Sequence, residues 1–380
     1  MSNFLKFIEE NIVYEILAVS WLLLLWKYYL NLRQVNVRNL MMRLTDLPKS
    51  IEGLMTKDVY NKAHSYLLDQ LKFNDFESIF SELCTTVYLL NLCYYRFWLW
   101  SIDIVKYCGF DDQNEILLSG VCMFIINVIY DIIILPFKIY STFVVEQKHG
   151  FNKKVRNNFY ILGDLKKKIE ELAASINYPL YKIFIVENSK RSSHSNAYLY
   201  GFHKHKRIVL YDTLIKEYYK PAEGENNTKG CTTDEVIAVL AHELGHWKYS
   251  HTLKGFIFGQ VHLLMNIYLY AKLLDYKPIF EAFGFMDSQP TFIGIIIITI
   301  YILNPLNVLV QYITNIVKRG FEFEADKFAK ILGHGQILKS SLIKLQEDNL
   351  SFPLYDKLYS SWHLSHPQVF ERIEAIDKED

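Results

Sequence analysis

Residues 233–248 read TDEVIAVLAHELGHWK. Thr233 and Asp234 are residue types that open helices, so a helix is predicted from about there to Lys248. The run 236–241 (VIAVLA) is apolar on every side, which places that helix in an interior. His242 and His246 are four residues apart and share one helical face. Buried histidines need partners, and two imidazoles at this spacing suit a tetrahedral zinc ion. Glu243 stands beside them, placed to act on a water held there. The plain alternative is a solvated helix that carries two histidines, and the apolar run counts against it. His251 follows His242 by nine residues, about half a turn out of phase. It is expected to be solvated or to cap the helix.

A zinc ion that works on a substrate keeps three protein ligands and one open position. The third ligand is sought in residues 319–326, RGFEFEAD. Glu322 and Asp326 share a helical face, while Glu324 points away from it. Glu322 has the chemistry to bind zinc, and Asp326 to accept a hydrogen bond from a ligand histidine. Spacing alone fits a charged, solvated helix end equally well.

The remaining sequence places this helix in a membrane protein. The chain has 380 residues, 51% of them hydrophobic and 15% aromatic, yet Lys+Arg 41 balance Asp+Glu 41. That combination predicts apolar spans joined to charged, water-facing segments. A formal charge of zero argues against nucleic acid as a partner. The five cysteines form no CxxC pair, and free thiols are expected.

Five stretches approach the bilayer-spanning length of about 20 apolar residues: 11–31, 81–100, 116–138, 255–275 and 292–317. Asn91 and Arg96 weaken the second, and Pro305 predicts a kink in the fifth. Buried core helices are the alternative for each. Arg33, Arg38, Arg43 and Lys49 follow the first span, whereas only Lys6 precedes it. The positive-inside rule then turns the N-terminus to the lumen, and residues 139–254 and the C-terminal tail to the cytosol. No cleavable signal is expected, because the first span lacks a small-residue cleavage site.

Four regions follow: N-terminal spans at 1–138, a water-facing catalytic region at 139–254, further spans at 255–317 and a C-terminal catalytic segment at 318–380. Within 139–254, residues 164–174 carry Leu165, Ile169 and Leu172 on one helical face. Residues 181–186 (YKIFIV) and 207–211 (RIVLY) read as strands. The expected fold is mainly α: a polytopic membrane helical bundle with a zincin-like catalytic region and a small β-sheet.

Several segments together resemble the type I CAAX prenyl proteases, integral-membrane zinc peptidases of the endoplasmic reticulum and inner nuclear membrane. They are residues 142–153 (TFVVEQKHGFNK), 189–202 (SKRSSHSNAYLYGF), 207–213 (RIVLYDT), 236–247 (VIAVLAHELGHW), 321–332 (FEFEADKFAKIL) and 348–367 (DNLSFPLYDKLYSSWHLSHP). They occur in the family's order across most of the chain. HExxH is shared by many proteases; SKRSSHSNAY and SSWHLSHP are far more specific.

The resemblance implies zinc bound by His242, His246 and Glu322, with Glu243 as catalytic base. It implies that Asn196 sits on an edge strand near substrate, and that His366 and Arg372 bind substrate and steady the transition state. Read without it, Asn196 is a turn residue, His366 a surface histidine and Arg372 a solvated helix charge. The implied reaction removes the last three residues of prenylated CAAX proteins, with prenylated C-termini and membrane lipid as partners. The implied location is the endoplasmic reticulum membrane or the inner nuclear membrane. A membrane quality-control protease and a catalytically impaired scaffold are the rival readings.

The family usually has seven spans, two more than are read here. The difference falls after Phe151-Asn152-Lys153.

Overall fold

The computed structural model describes residues 2–42, 56–149, 158–159, 163–186, 197–201, 203–218 and 229–378. Four long helices come first: α1 (Ser2–Met42), α2 (Lys57–Leu90), α3 (Cys93–Tyr107) and α4 (Glu115–Tyr140), the last running on as a π-helical turn over Ser141–Glu146. Then follow β1 (Asn158–Phe159), α5 (Asp164–Ser175), β2 (Leu180–Val186), β3 (Ala197–Tyr200), β4 (Lys206–Tyr211) and α6 (Thr233–Lys248). The rest is helical: α7 (His251–Leu273), α8 (Lys277–Ala282), α9 (Thr291–Ile297), α10 (Asn304–Ile331), α11 (Gly335–Asp348), α12 (Lys357–His363) and α13 (Val369–Lys378).

The chain divides into two compact units that interleave in sequence. One holds residues 1–31, 72–140 and 257–311; the other holds 32–71, 141–256 and 312–380.

The first unit is helical, with a core of Ile12, Ile16, Phe97, Trp98, Cys122, Phe280, Phe283 and Ile297. Among the described residues two helices are long and apolar enough to cross a membrane, Glu9–Val37 and Glu115–Glu146. The pair Thr291–Ile302 and Asn304–Ile331 makes a third if its 58° bend is one broken span. That bend falls at Asn304-Pro305, where the missing amide of proline interrupts the helical ladder.

The other two expected spans differ from their reading. Residues 81–100 are not one helix. The Asn91 side chain bonds back to the Val87 carbonyl at 2.9 Å, and Leu92 adopts a left-handed φ of 50°, so α2 ends and α3 begins anew. Over 255–275, α7 is continuous, but Gln260, His262 and Asn266 keep it below the apolarity of a span. His262 is 3.0 Å from Asn307 and 3.2 Å from Asn266, so its polarity is satisfied inside this unit.

The second unit is built on a sheet of order β1-β2-β4-β3, with β2 and β4 parallel and both outer strands antiparallel. β2 and β4 lie where their apolar, β-branched runs predicted strands. β3 forms one edge, its Ala197 opposite Leu210 and its Tyr200 opposite Arg207. Gly201 turns the chain from β3 to β4 at φ +109°; a Cβ there would lie 2.2 Å from the His205 carbonyl oxygen. Leu165, Ile169 and Leu172 of α5 pack with Ile185, Ile208 and Leu210 of the sheet and with Leu338 and Leu342 of α11. Helix α6 runs through this core, and every residue from Val236 to His242 is buried. All five cysteines are free, as expected, but they are not mostly buried: Cys122 and Cys231 are buried, Cys84 and Cys93 are half-buried and Cys108 is exposed.

Two local devices set the functional segments. Arg33 makes a two-point ion pair with Asp356, at 2.9 Å for each bond, and Asp356 caps the start of α12, just before Ser365-His366-Pro367. Thr232 and Glu235 form a reciprocal capping box at the start of α6, the Thr232 amide donating to the Glu235 carboxylate at 2.8 Å. Thr232→Ala is expected to cost about 1 kcal/mol. In thermal unfolding of the detergent-solubilised protein, adding Glu235→Ala should cost less than the two single changes summed, because both act through one box.

Candidate metal centre and active site

α6 presents His242 and His246 one turn apart, with their Nε2 atoms 3.2 Å from each other. Glu322 reaches them from α10. Its Oε2 is 3.5 Å from His242 Nε2, and its Oε1 is 3.4 Å from His246 Nε2. One ligand atom from each of the three lies within 4.8 Å of the others, the arrangement of a metal site. Glu322 is buried, so the solvated helix end allowed by its spacing is not what forms.

The crossing of α6 and α10 makes this possible. A Cβ on Gly245 would lie 2.9 Å from Ala325 Cα. The helices therefore touch backbone to backbone between the two histidines and the carboxylate. Glycine on one side and alanine on the other are what that approach requires.

Behind His242, Asp326 Oδ1 is 2.8 Å from its Nδ1. Both Asp326 oxygens accept from Arg372, Nε and Nη2 each at 2.7 Å. Burial pushes the Asp326 carboxyl upward, but the charge and hydrogen bonds of Arg372 outweigh it and hold it below the usual carboxylate range. An ionised Asp326 accepts a hydrogen bond from His242 Nδ1–H, which leaves Nε2 to face Glu322. Arg372, expected to contact substrate, is buried against this carboxylate, with Nη1 3.5 Å from Glu322 Oε2. Burial likewise works against the Glu322 charge, and hydrogen bonding to His242 and His246 prevails and keeps its pKa low.

His246 is braced by a residue whose helical phase was misleading. Its Nδ1 lies 2.9 Å from the Nδ1 of His251, and His251 Nε2 lies 2.9 Å from Glu324 Oε2. His251 is buried and stacks flat on Phe321, with ring centroids 4.2 Å apart. Burial lowers its pKa and keeps it neutral. One tautomer then satisfies the whole row: His246 Nδ1–H donates to His251 Nδ1, and His251 Nε2–H donates to Glu324. The phase argument assumed one unbroken helix. Instead α6 ends at Lys248, Ser250 takes a left-handed φ of 56°, and the chain folds His251 back onto His246. Glu324 does point away from Glu322, and His251 is what it meets there.

Glu243 is half-buried beside the ligands, and burial raises its carboxyl above the usual range, nearer to where a general base is useful. It opens with His246 onto a cleft of about 1130 Å³ that runs along β3. His366 is exposed, with Nε2 3.4 Å from Glu322 Oε1. Arg319 fixes that segment, donating to the His366 carbonyl at 3.0 Å and to Glu371 at 2.7 Å. Asn196 lies outside the described residues, immediately before the edge strand β3.

Two substitutions test this geometry. Gly245→Val should separate α6 from α10 and abolish stoichiometric metal binding, measured by elemental analysis of purified protein. His251→Ala should weaken metal retention in a chelator titration by about 10- to 100-fold, and His251→Gln should recover part of the loss.

The site and fold have close counterparts. The sequence model of peptidase family M48 matches residues 162–380. A model described as the CAAX prenyl protease N-terminal region, with five membrane helices, matches residues 36–204. Mouse and human proteins named CAAX prenyl protease 1 homolog are each 35% identical, covering 97% of this chain and 96% of theirs. An Arabidopsis thaliana homologue is 36% identical over 94% of this chain and 95% of its own. The mouse alignment runs over 457 positions, so that relative carries length that the 380 residues here do not. The crystal structure of S. mikatae Ste24p superimposes with a TM-score of 0.83 at 27% identity, covering 95% of this chain and 98% of that one. Two helices in backbone contact carry a His-His-Glu group, and the chain belongs to peptidase family M48 as a multi-pass membrane metalloprotease of the CAAX prenyl protease kind.

Proposed function

We propose that this protein is a zinc metalloendopeptidase that removes the C-terminal tripeptide from prenylated CAAX proteins. The observation that carries the metal assignment is the ligand triangle. Zinc–nitrogen bonds of about 2.0–2.1 Å at tetrahedral angles put neighbouring ligand atoms roughly 3.3 Å apart. Here the two imidazole Nε2 atoms are 3.2 Å apart, and Glu322 meets them with different oxygens, Oε1 at 3.4 Å from His246 and Oε2 at 3.5 Å from His242. Two imidazoles and one carboxylate are also the donor set of hydrolytic zinc sites that keep one position open. Relatives named CAAX prenyl protease 1, matched over nearly their full length, support the substrate class.

Zinc, when bound, supplies a Lewis acid for the scissile carbonyl and the attacking water. The chain's own groups do the rest. Glu243 takes the proton of the water and returns it to the leaving amine. Burial raises the pKa of Glu243, which strengthens it as the base that takes the proton. The exposed imidazole of His366 borders the site and donates to the developing oxyanion. Arg372 acts through Asp326, holding His242 in its ligating tautomer. The side of β3 away from β4 is the edge along which an extended substrate would add as a strand, with Asn196 at its start.

The location that fits is the endoplasmic reticulum or inner nuclear membrane, with the catalytic unit toward the cytosol, where CAAX proteins are prenylated. The basic residues after the first span support that sidedness.

Glu243→Gln should lower cleavage of a farnesylated CAAX peptide by at least about a hundredfold, with zinc content unchanged. Equal cleavage by wild type and variant would sink the enzymatic reading. Preference for an unfolded membrane protein over the farnesylated peptide would favour the quality-control rival.

A further inference from the structure

His366 stands on the link between α12 and α13, residues 364–368, which belongs to no helix or strand. The stretch just before α12, residues 351–356, belongs to none either. Peptide groups outside a ladder still need partners where water is excluded. Two glutamines supply them here.

Gln368 follows His366 by two residues. Its Oε1 accepts from the Tyr355 amide and its Nε2 donates to the Tyr355 carbonyl, both at 3.0 Å. Gln34 takes the flanking groups. Its Nε2 donates to the Leu354 carbonyl at 3.1 Å, and its Oε1 accepts from the Asp356 amide at 2.8 Å. These are the groups that an extended chain turns to its two edges, so each glutamine stands where a neighbouring strand would. Gln34 is fully buried, at 0% exposure. It lies near the end of α1, whose residues Glu9–Val37 are long and apolar enough to cross a membrane. Arg33 beside it pairs with Asp356 at two points. An unbroken row of hydrogen bonds thus runs from α1 through residues 354–356 to the residue two beyond His366.

Packing does not replace that row. A cavity of about 280 Å³ is lined by residues of both stretches, Tyr355, His366 and Gln368 included. A void forfeits contacts on one side of every atom that lines it. The hold of Arg319 on the His366 carbonyl fixes the link at a single atom, about which it could pivot. The two bonds of Gln368 supply the second point.

We propose that Gln34 and Gln368 are positioning residues for His366. Through residues 354–356 they keep its imidazole at the border of the metal site, with Nε2 3.4 Å from Glu322 Oε1. The proposal rests on the reading of His366 as donor to the oxyanion. It makes the end of α1 a determinant of turnover. Misplacing a reacting group by about 1 Å can cost about a hundredfold in rate, so bonds this far from the chemistry can govern kcat.

The test uses full-length enzyme in detergent and a farnesylated CAAX peptide. Gln34→Leu and Gln368→Leu roughly keep the side-chain volume and remove both bonds of each glutamine. Each should lower kcat by about tenfold and change KM by less than about twofold, with zinc content unchanged. Gln368→Glu can still accept from the Tyr355 amide and should lose less. In a His366→Ala background the same leucine changes should cost less than about twofold more, because the group they place is gone. Losses of equal size with and without His366 mean a merely structural role and overturn the proposal. A wild-type rate in His366→Ala alone overturns it together with the role given to His366. A second measurement stands apart from turnover. Diethyl pyrocarbonate acylates accessible imidazoles, and mass spectrometry reads the rate at His366 against that at exposed His203 in the same sample. Both His366 nitrogens are engaged, Nδ1 with Ser365 Oγ at 3.0 Å and Nε2 toward Glu322. Loosening the link in Gln368→Leu should therefore raise the ratio by about threefold. An unchanged ratio overturns the proposal. If wild type cuts no farnesylated peptide, the CAAX reading fails, and the acylation ratio alone decides whether the glutamines hold His366.

Discussion

The contact on which the site depends is the backbone approach of α6 and α10 at Gly245 and Ala325. It has no chemistry of its own. Any Cβ on Gly245 would lie 2.9 Å from Ala325 Cα, so the helices could not lie as close as they do. Ligand atoms 3.2–3.5 Å apart allow almost no slack in that crossing. The buried run Val236–Ala241 fixes α6 in the core of the catalytic unit, so the crossing is built on packing rather than on a loop. His242, His246 and Glu322 inherit the rigidity of two packed helices.

The two histidines are then held in different ways. His242 is backed by Asp326, and Asp326 by Arg372, in a fully buried row. His246 is backed by neutral His251, whose outer nitrogen faces the half-exposed carboxylate of Glu324. Full negative charge stands directly behind one ligand and only at one remove behind the other. Two ligands of one residue type thus differ through their outer partners alone.

What the sequence made legible divides along the range of the forces involved. Helix α6, its two histidines and the strands β2 and β4 follow from local periodicity, and each formed where it was read. Glu322 was undecided because its role comes from a helix crossing far away in sequence. β3 has only four residues, too few for alternation to register, and it is held by its pairing with β4. His251 was misread because one left-handed residue, Ser250, resets the helical phase between it and His246. The break at Leu92 defeated the reading of a second span in the same way. The specific segments SSHSNAY and SSWHLSHP carried information that spacing did not. The residues of SSWHLSHP reach the site only through the fold, as the hold of Arg319 on the His366 carbonyl illustrates.

Charge balance explains why the centre calls for a cation. Glu322 and Asp326 are buried with one guanidinium, that of Arg372, between them. Two carboxylates and one cation leave a net negative charge in a region where uncompensated charge is costly. The imidazoles of His242 and His246 face it. In the protein without metal, burial and Arg372 oppose a proton on His242, yet Asp326 and Glu322 outweigh them and lift its pKa to about 9. A divalent cation held by His242, His246 and Glu322 would supply positive charge there, and His242 would have to be unprotonated at Nε2 to bind it. Metal uptake is thereby tied to pH in one direction, weakening as the solution grows more acidic. The same excess of negative charge that takes up the proton makes the site a trap for the metal.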